Sequence, residues 1–381
     1  MSTSVPRRFR HLEEATAELA ARFRDAGHSL FLVGGSVRDA MLGYEITPVG
    51  AAGVGGGSGP VQRERDIDLT TDATPDEIEA VIAGWADAVW MQGKPYGTIG
   101  CRALGHTYEI TTHRADVYRS DSRKPEVSFG HDIETDLGRR DFTINAIALR
   151  LPEMELVDPF GGVVDLFDHR LRTPLAPEVS FDDDPLRMLR AARFIAGYEC
   201  TPERALVEAV KAGHERLSIV SAERIRDELD RLLTVPKPSP GLWFVVETRL
   251  ADEFLPELPA LALEQDPLHR HKDVLAHTFA VVDKTSPERT VRLSALFHDI
   301  GKPRTRAFGP GGVSFHHHEV VGARMTRERM EALRYSSEDV KVVTRLVELH
   351  LRFHTYRLGW TDKAVRRYVR DAGPLLAQLN E

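Results

Sequence analysis

The chain is expected to be an α+β protein: an N-terminal head on a small mixed β-sheet, then an all-helical remainder. Three observations predict this. Leu30 to Val33 is an apolar run that breaks at Gly34-Gly35, the pattern of a short buried strand entering a tight turn. Asp66-Ile67-Asp68 and Tyr108-Glu109-Ile110-Thr111-Thr112 have the composition and alternation of half-buried strands. From Asp182 onward the apolar residues recur at helical spacing almost to the last residue.

Taken in order, His11 to Ala26 is an amphipathic helix with Leu12, Ala15, Leu19 and Phe23 on one face. The first strand and the Gly-Gly turn follow, and Val37 to Leu42 begins a second helix. Thr47 to Gln62 contains a Gly-rich run that cannot bury a core, which predicts a mobile loop. No Gly-Lys-Ser/Thr ends that run, so it lacks the pattern of a phosphate cradle. Asp72 to Ala83 is a helix, with Thr74-Pro75 at its start and Asp76-Glu77 in its first turn. Arg114 to Arg139 is polar and predicts a loop. Arg139 to Ala148 mixes apolar and polar positions at helical spacing, and Asp158 to Leu166 is a turn into a short segment.

In the second half, Asp182-Asp183-Asp184-Pro185 opens a helix, with acids ahead of a proline in the first turn. Leu186, Leu189, Ala192, Phe194 and Ile195 supply its core stripe. Ser221 caps another helix. Pro236 to Gly241 is a linker-like break. Thr361 to Ala372 is a helix stopped by Gly373-Pro374.

A length of 381 residues predicts more than one domain. No apolar run approaches the length that spans a bilayer, and no apolar signal region follows the basic N-terminus. Cys101 and Cys200 are the only cysteines, which argues for a reducing compartment and predicts a cytoplasmic protein. The net charge of −8 counts against a nucleic-acid binder if taken alone. Local clusters carry more weight. Arg187, Arg190 and Arg193 sit at helical spacing, and so do Lys363, Arg366, Arg367 and Arg370. Each is open to two readings, a contact surface or a solvated helix face.

The chemistry of the head lies in two pieces. Glycine lacks Cβ, so the Gly34-Gly35-Ser36 turn lets a polyphosphate approach backbone N–H groups, and the helix start behind it favours an anion. In a strand, residues i and i+2 share a face. Asp66 and Asp68 therefore project together with Ile67 turned inward. Two carboxylates on one face repel unless a cation lies between them, and Mg2+ bound by carboxylates and substrate phosphates suits the pair. Glu109 is either a third carboxylate that takes the proton of an attacking hydroxyl or an edge-strand charge.

A second constellation is His277, His298-Asp299 and the run His316-His317-His318-Glu319. A histidine-aspartate pair at a helix end with further histidines around it predicts a divalent transition-metal site. His350 and His354 either join it or face solvent.

Together these motifs resemble the class II bacterial tRNA nucleotidyltransferase and poly(A) polymerase family, over about residues 28 to 235. The motifs, in order, are Gly34-Gly35-Ser36-Val37-Arg38-Asp39 with Asp66 and Asp68; Arg140-Asp141-Phe142-Thr143-Ile144-Asn145; Asp158 to Leu166; Asp183-Asp184-Pro185-Leu186-Arg187 running on to Arg193-Phe194; and Ser221 to Leu229, with Glu223-Arg224-Ile225-Arg226. The resemblance implies Mg2+ on Asp66 and Asp68, and a triphosphate held by Gly34, Gly35, Ser36 and Arg38. It also places Arg140, Asp141, Asn145, Arg190 and Arg193 around the nucleotide. Asp184 and Arg187 match the pair that selects the base without a template strand. They are an acceptor and a bidentate donor at i and i+3 on one helix face. His277, His298, Asp299 and His318 match ligand positions of the HD phosphohydrolase domain.

Three departures stand out. Asp183 replaces the usual glutamate of the fourth motif, the Gly-rich run separates the halves of the first, and the apolar segment after Pro374 breaks off at Asn380-Glu381. The last suggests a missing C-terminal part that contacts tRNA. The implied function is addition of C, C and A to the tRNA 3′ end from CTP and ATP. Poly(A) polymerase is the alternative within the family. A metal phosphohydrolase with a nucleotide-binding head is the alternative from another class. Arg114 to Lys124, with Tyr118 and Arg123, resembles the loop used in the adenosine step, which disfavours an enzyme that adds only C. The expected domains are a head over 1–175, a helical neck over 176–236, a connector over 237–268 and an HD domain over 269–381.

Overall fold

Strand β1 (Leu30–Val33) has all four residues buried in the computed structural model. That model describes residues 7–47, 62–64, 66–113, 132–263, 273–309, 312–352 and 359–381. The Gly-rich run, the 114–131 segment with Tyr118 and Arg123, and His354 lie outside the described residues. Two units form, residues 1–183 and 184–381.

The first unit holds β1, the short parallel pair β2 (Glu45–Thr47) and β3 (Gln62–Glu64), then β4 (Ile67–Thr71), β5 (Ala88–Trp90), β6 (Thr98–Ala103), β7 (His106–Thr112), β8 (Ala148–Leu151) and β9 (Glu155–Val157). Seven of them make one sheet in the order β5-β6-β7-β4-β1-β8-β9. Only β4 and β7 run parallel; the other neighbours are antiparallel, so the sheet is mixed as expected.

Its helices are α1 (Arg10–Asp25), α2 (Gly35–Met41), α3 (Pro75–Ile82), α4 (Ile133–Gly138), α5 (Gly162–Phe167) and α6 (Pro177–Asp183). Leu12, Leu19 and Phe23 of α1 are fully buried, the face the spacing predicts. The Tyr108 hydroxyl of β7 donates to the Ala15 carbonyl at 2.8 Å, which ties α1 to the sheet. A Thr74–Glu77 capping box starts α3. Phe31, Val33, Leu137, Ala146 and Ala148 form one core cluster, with Phe160 packed against it.

The second unit is helical: α7 (Leu186–Gly197), α8 (Arg204–Gly213), α9 (Ala222–Leu233), α10 (Ser239–Glu247), α11 (Leu250–Phe254), α12 (Val274–Lys284), α13 (Arg289–Phe297), α14 (Lys302–Thr305), α15 (His318–Ala332), α16 (Ser337–Leu349) and α17 (Asp362–Ala372). Arg292 of α13 is buried without a carboxylate partner in the hydrogen bonds of its guanidinium. Instead it donates to the carbonyls of Leu233, Thr285, Ser286 and Pro236 at 3.0–3.3 Å. Carbonyls at the ends of α9 and α12 carry the negative end of each helix dipole, so they suit a cation. No described helix is long and apolar enough to cross a membrane.

Three expectations need correction. Arg139 to Ala148 is not a helix: it makes a 3-10 turn over Thr143–Asn145 and runs into β8. Asp182 and Asp183 close α6, and α7 begins only at Leu186, after Pro185. The expected helical run is also interrupted by a hairpin of Ala307–Gly309 with Gly312–Ser314.

Candidate active site and metal centre

The head site forms where β4 and β7 lie side by side. Their parallel register sets Asp68 opposite Glu109. Ile67 is fully buried between the two aspartates, as alternation requires, while Asp66 just before β4 is exposed and Asp68 half-buried. Crowding by protein raises the pKa of Asp66. It raises that of Glu109 too, and the negative charge of Asp66 adds to the rise. The β4–β7 pairing thus sets Asp68 beside Glu109, with Asp66 just before Asp68 in the chain, and the repulsion of Asp66 on Glu109 suits a divalent cation.

The Gly34 turn closes against this edge. Gly34 has φ +69, and a Cβ there would lie 3.1 Å from Nη1 of Arg140 and 3.6 Å from Oδ2 of Asp68. Any side chain would be strained by that φ and crowded by both groups. The Ser36 hydroxyl donates to the Asp66 carbonyl at 3.3 Å and accepts the Asp68 N–H at 3.4 Å. It joins the start of α2 to the strand that carries the carboxylates.

Arg38 occupies a different place from Gly34, Gly35 and Ser36. It is 2% exposed, paired with Asp39 at 3.0 Å and hydrogen-bonded to Asn145. Asn145 in turn donates to Asp141 at 2.8 Å. Arg38, Asp141 and Asn145 are therefore one buried hydrogen-bonded chain.

Asp136 was not singled out in the sequence. It is fully buried on α4, accepts from Arg139 and Arg140 at 3.1 Å, and aims the Arg140 guanidinium at Gly34. Its signal was the i, i+3 and i, i+4 spacing to the two arginines. Burial opposes ionisation of Asp136, but the charges of Arg140 and Arg139 outweigh it and hold the pKa below the usual range. A depressed carboxylate contributes stability above its unfolded pKa and loses it as pH falls through the folded value. We predict that Asp136→Ala destabilises the head by about 3–5 kcal/mol, because both arginines lose a buried partner. Calorimetry at neutral pH checks this, and the deficit relative to wild type should shrink in acid.

In the second unit, Asp184 Oδ1 accepts the Leu186 N–H at 3.2 Å, and Oδ2 accepts from Arg224 at 2.8 Å. The Arg187 N–H donates to the Asp184 carbonyl at 3.0 Å. Arg193 pairs with the buried Glu228 and lies over the Phe194 ring at 4.6 Å. Arg190 is half-buried one turn from Arg187 and Arg193. Arg224, from the fifth motif, is a partner that the sequence reading did not assign.

The histidine cluster assembles within the same unit. His298 Nε2 lies 3.0 Å and His277 Nε2 3.9 Å from Asp299 Oδ2, while His318 Nε2 lies 3.3 Å from Oδ1. His350 joins them, with its Nε2 3.3 Å from that of His318. The Nδ1 atoms of His298, His318 and His350 lie 2.7–2.8 Å from the carbonyls of Ala295, Phe315 and Val347. A carbonyl accepts only, so each Nδ1 carries the proton and each Nε2 turns a lone pair inward.

Lone pairs that face each other and a carboxylate are the donor set of a cation site. The donor atoms form two overlapping triples, His277-His298-Asp299 and Asp299-His318-His350, each within 4.8 Å. Burial, then the charge of His298, pushes His350 down to about 3. Its imidazole is neutral at physiological pH. Lys302 Nζ sits 2.8 Å from Asp299 Oδ2. Gly301 lets this turn approach α15, since a Cβ would lie 2.2 Å from the His318 carbonyl.

Comparison with known proteins follows the same division. Residues 30–172 match the Poly A polymerase head domain, 201–261 a probable RNA- and SrmB-binding site of polymerase A, and 273–376 the HD domain. An A-adding tRNA nucleotidyltransferase of Deinococcus radiodurans is 35% identical over 331 residues, covering 79% of this chain and 74% of its own length. A CCA-adding enzyme of Lactobacillus helveticus is 36% identical over 230 residues, covering 60% of this chain and 52% of its own. The chain spans about half the length of the CCA-adding enzymes it matches in this way. In fold it is similar to the Bacillus stearothermophilus CCA-adding enzyme solved with CTP, with a TM-score of 0.68 at 21% identity, covering 99% of this chain and 78% of that one. It is also similar to the Thermotoga maritima CCA-adding enzyme solved with tRNA, with a TM-score of 0.56 at 20% identity, covering 99% and 82%.

Proposed function

This chain belongs to the class II tRNA nucleotidyltransferase and poly(A) polymerase family, and from that premise we propose that it adds C, C and A from CTP and ATP to the 3′ end of tRNA. The observation that carries the reading is the β4–β7 register, which sets Asp68 opposite Glu109 beside Asp66 and the Gly34 turn. The tRNA 3′ oxygen attacks the α-phosphorus, the bond to the bridging oxygen breaks, and pyrophosphate leaves. The backbone N–H groups of the turn and the Arg140 guanidinium hold the triphosphate. Arg38, Asp141 and Asn145, linked by hydrogen bonds, brace the helix that follows the turn. Glu109, whose raised pKa suits a base, takes the hydroxyl proton. When bound, Mg2+ at Asp66 and Asp68 would activate the hydroxyl and offset the triphosphate charge.

The test is incubation with tRNA that lacks its 3′ end, offering CTP, ATP, GTP and UTP singly and together, and then sequencing the products. C-C-A supports the proposal, and a long run of A supports poly(A) polymerase. A second reading, addition of A alone, is favoured by the broad similarity to the Deinococcus radiodurans enzyme; it requires that only tRNA already ending in CC be extended. We assign the work to the cytoplasm, consistent with two buried free thiols. The proposed division is a head over 1–175, a neck over 176–236, a connector over 237–268 and an HD domain over 269–381.

For the second unit, the inward-facing Nε2 set supports a divalent transition-metal centre with phosphohydrolase activity, held by His277, His298, Asp299, His318 and His350. Asp66, Asp68, Asp184 and Arg187 are all present, which argues against a head that only binds nucleotides. We predict that His298→Ala removes the metal, and that His350→Ala lowers metal content, while CTP incorporation stays within about twofold. Elemental analysis of purified protein checks the metal, and a tRNA assay checks the head. Equal loss of both functions in a folded variant would argue against two independent sites.

A further inference from the structure

Helix α17 (Asp362–Ala372) presents a basic face that neither the head chemistry nor the histidine cluster uses. Lys363, Arg366, Arg367 and Arg370 are all exposed on it. At 100° per residue they fall within a single stripe, with a rise of about 10 Å from first to last. Lys363 and Arg366 make no ion pair among the described residues. Arg367 and Arg370 share one acid, Asp371, at 3.8 and 3.3 Å, and Arg352 competes for it at 3.2 Å. The stripe therefore keeps an excess of positive charge, in a chain whose net charge is −8.

We propose that this face binds the phosphate backbone of the RNA substrate. The inference rests on the reading that the substrate is tRNA, and adds a contact surface in the second unit that is separate from the base-selecting residues. About 10 Å of helix is long enough to face several consecutive phosphates of one strand, so more than one cation can be engaged together. An anionic membrane is the competing partner for a basic amphipathic helix. The burial pattern disfavours it. Tyr368 and Ala372 already pack into the fold, and only Val365 and Val369, at 39% and 44% exposure, remain outside. A membrane-lying helix needs a broad free apolar face with bulky residues.

The experiment replaces Lys363, Arg366, Arg367 and Arg370 with alanine in the full chain. It measures affinity for tRNA lacking its 3′ end from 50 to 300 mM salt, and steady-state nucleotide addition. A backbone contact predicts weaker binding by about tenfold or more at low salt, and a plot of log affinity against log salt that flattens by about 3. KM for tRNA should rise with kcat unchanged. A variant with lysine at Arg366, Arg367 and Arg370 should keep the wild-type slope. If wild type binds tRNA and the alanine variant matches its affinity and slope, the inference fails while the functional reading stands. If wild type binds no tRNA, both fail. Loss of binding to vesicles of anionic lipid, with tRNA affinity retained, would assign the face to a membrane and overturn the proposal.

Discussion

Asp66→Ala and Asp68→Ala each lower nucleotide incorporation by about 10³-fold or more, while tRNA affinity stays near wild type. A reduction of that size corresponds to about 4 kcal/mol of transition-state stabilisation, within the range expected when a preorganised charge at the reacting centre is removed. The residues allow the result to be read cleanly. Asp66 is exposed and precedes β4, and Asp68 is half-buried, so neither substitution opens a core cavity. Ile67, between them, keeps β4 anchored. Removing Asp66 also relieves repulsion on Glu109, whose pKa rise has burial as its first cause and Asp66 as its second. Asp66→Ala should therefore bring Glu109 closer to an ordinary glutamate as well as weaken divalent-cation binding. Titrating Mg2+ against single-turnover rates checks the assignment. Ordinary rates at standard Mg2+ in a folded double variant would remove both residues from the catalytic centre.

What the sequence disclosed depended on how local the signal was. The buried strand, the Gly-Gly turn and the Asp66-Ile67-Asp68 alternation are legible because each is written within a few residues. The Ser221 cap is local in the same way, and its side chain accepts the Arg224 N–H; Thr74 and Thr361, read from the sequence only as helix starts, cap their helices likewise. Arg139 to Ala148 failed because every residue from 141 to 149 is buried. A segment enclosed on all sides has no polar face, so periodicity cannot distinguish turn, strand and helix. Arg38 has the chemistry of a phosphate ligand, but its partner Asn145 lies 107 positions away, and no local pattern encodes that pairing. His350 was ambiguous for the same reason: α16 delivers it to His318 across 32 positions. The Asp182-Asp183-Asp184-Pro185 run mixed two signals. Its first two acids end one helix, and Asp184 caps the next.

Base choice gives the other large effect: Arg187→Ala relaxes selection against UTP and GTP as well as slowing CTP addition. Arg187 offers paired N–H donors and Asp184 offers acceptors, so together they can address the edge of cytosine or adenine. Cytosine presents a carbonyl, a ring-nitrogen acceptor and an amino donor. Uracil exchanges the last two for a donor and an acceptor, so it meets acceptor with acceptor and donor with donor. Each group left unpaired costs about 1–3 kcal/mol, or roughly 5- to 150-fold. Discrimination of this kind requires a fixed reader. Asp184 is held at both oxygens, by the Leu186 N–H at 3.2 Å and by Arg224 at 2.8 Å, and keeps lone pairs free for a base. Arg224→Ala should therefore loosen Asp184 and reduce selectivity by a smaller factor than Arg187→Ala, with kcat for CTP less affected. The measurement is relative kcat/KM for the four nucleotides on a tRNA primer, for wild type and both variants. If Arg187→Ala slows all four nucleotides equally, Arg187 is a structural or phosphate contact, and base selection resides elsewhere in the chain.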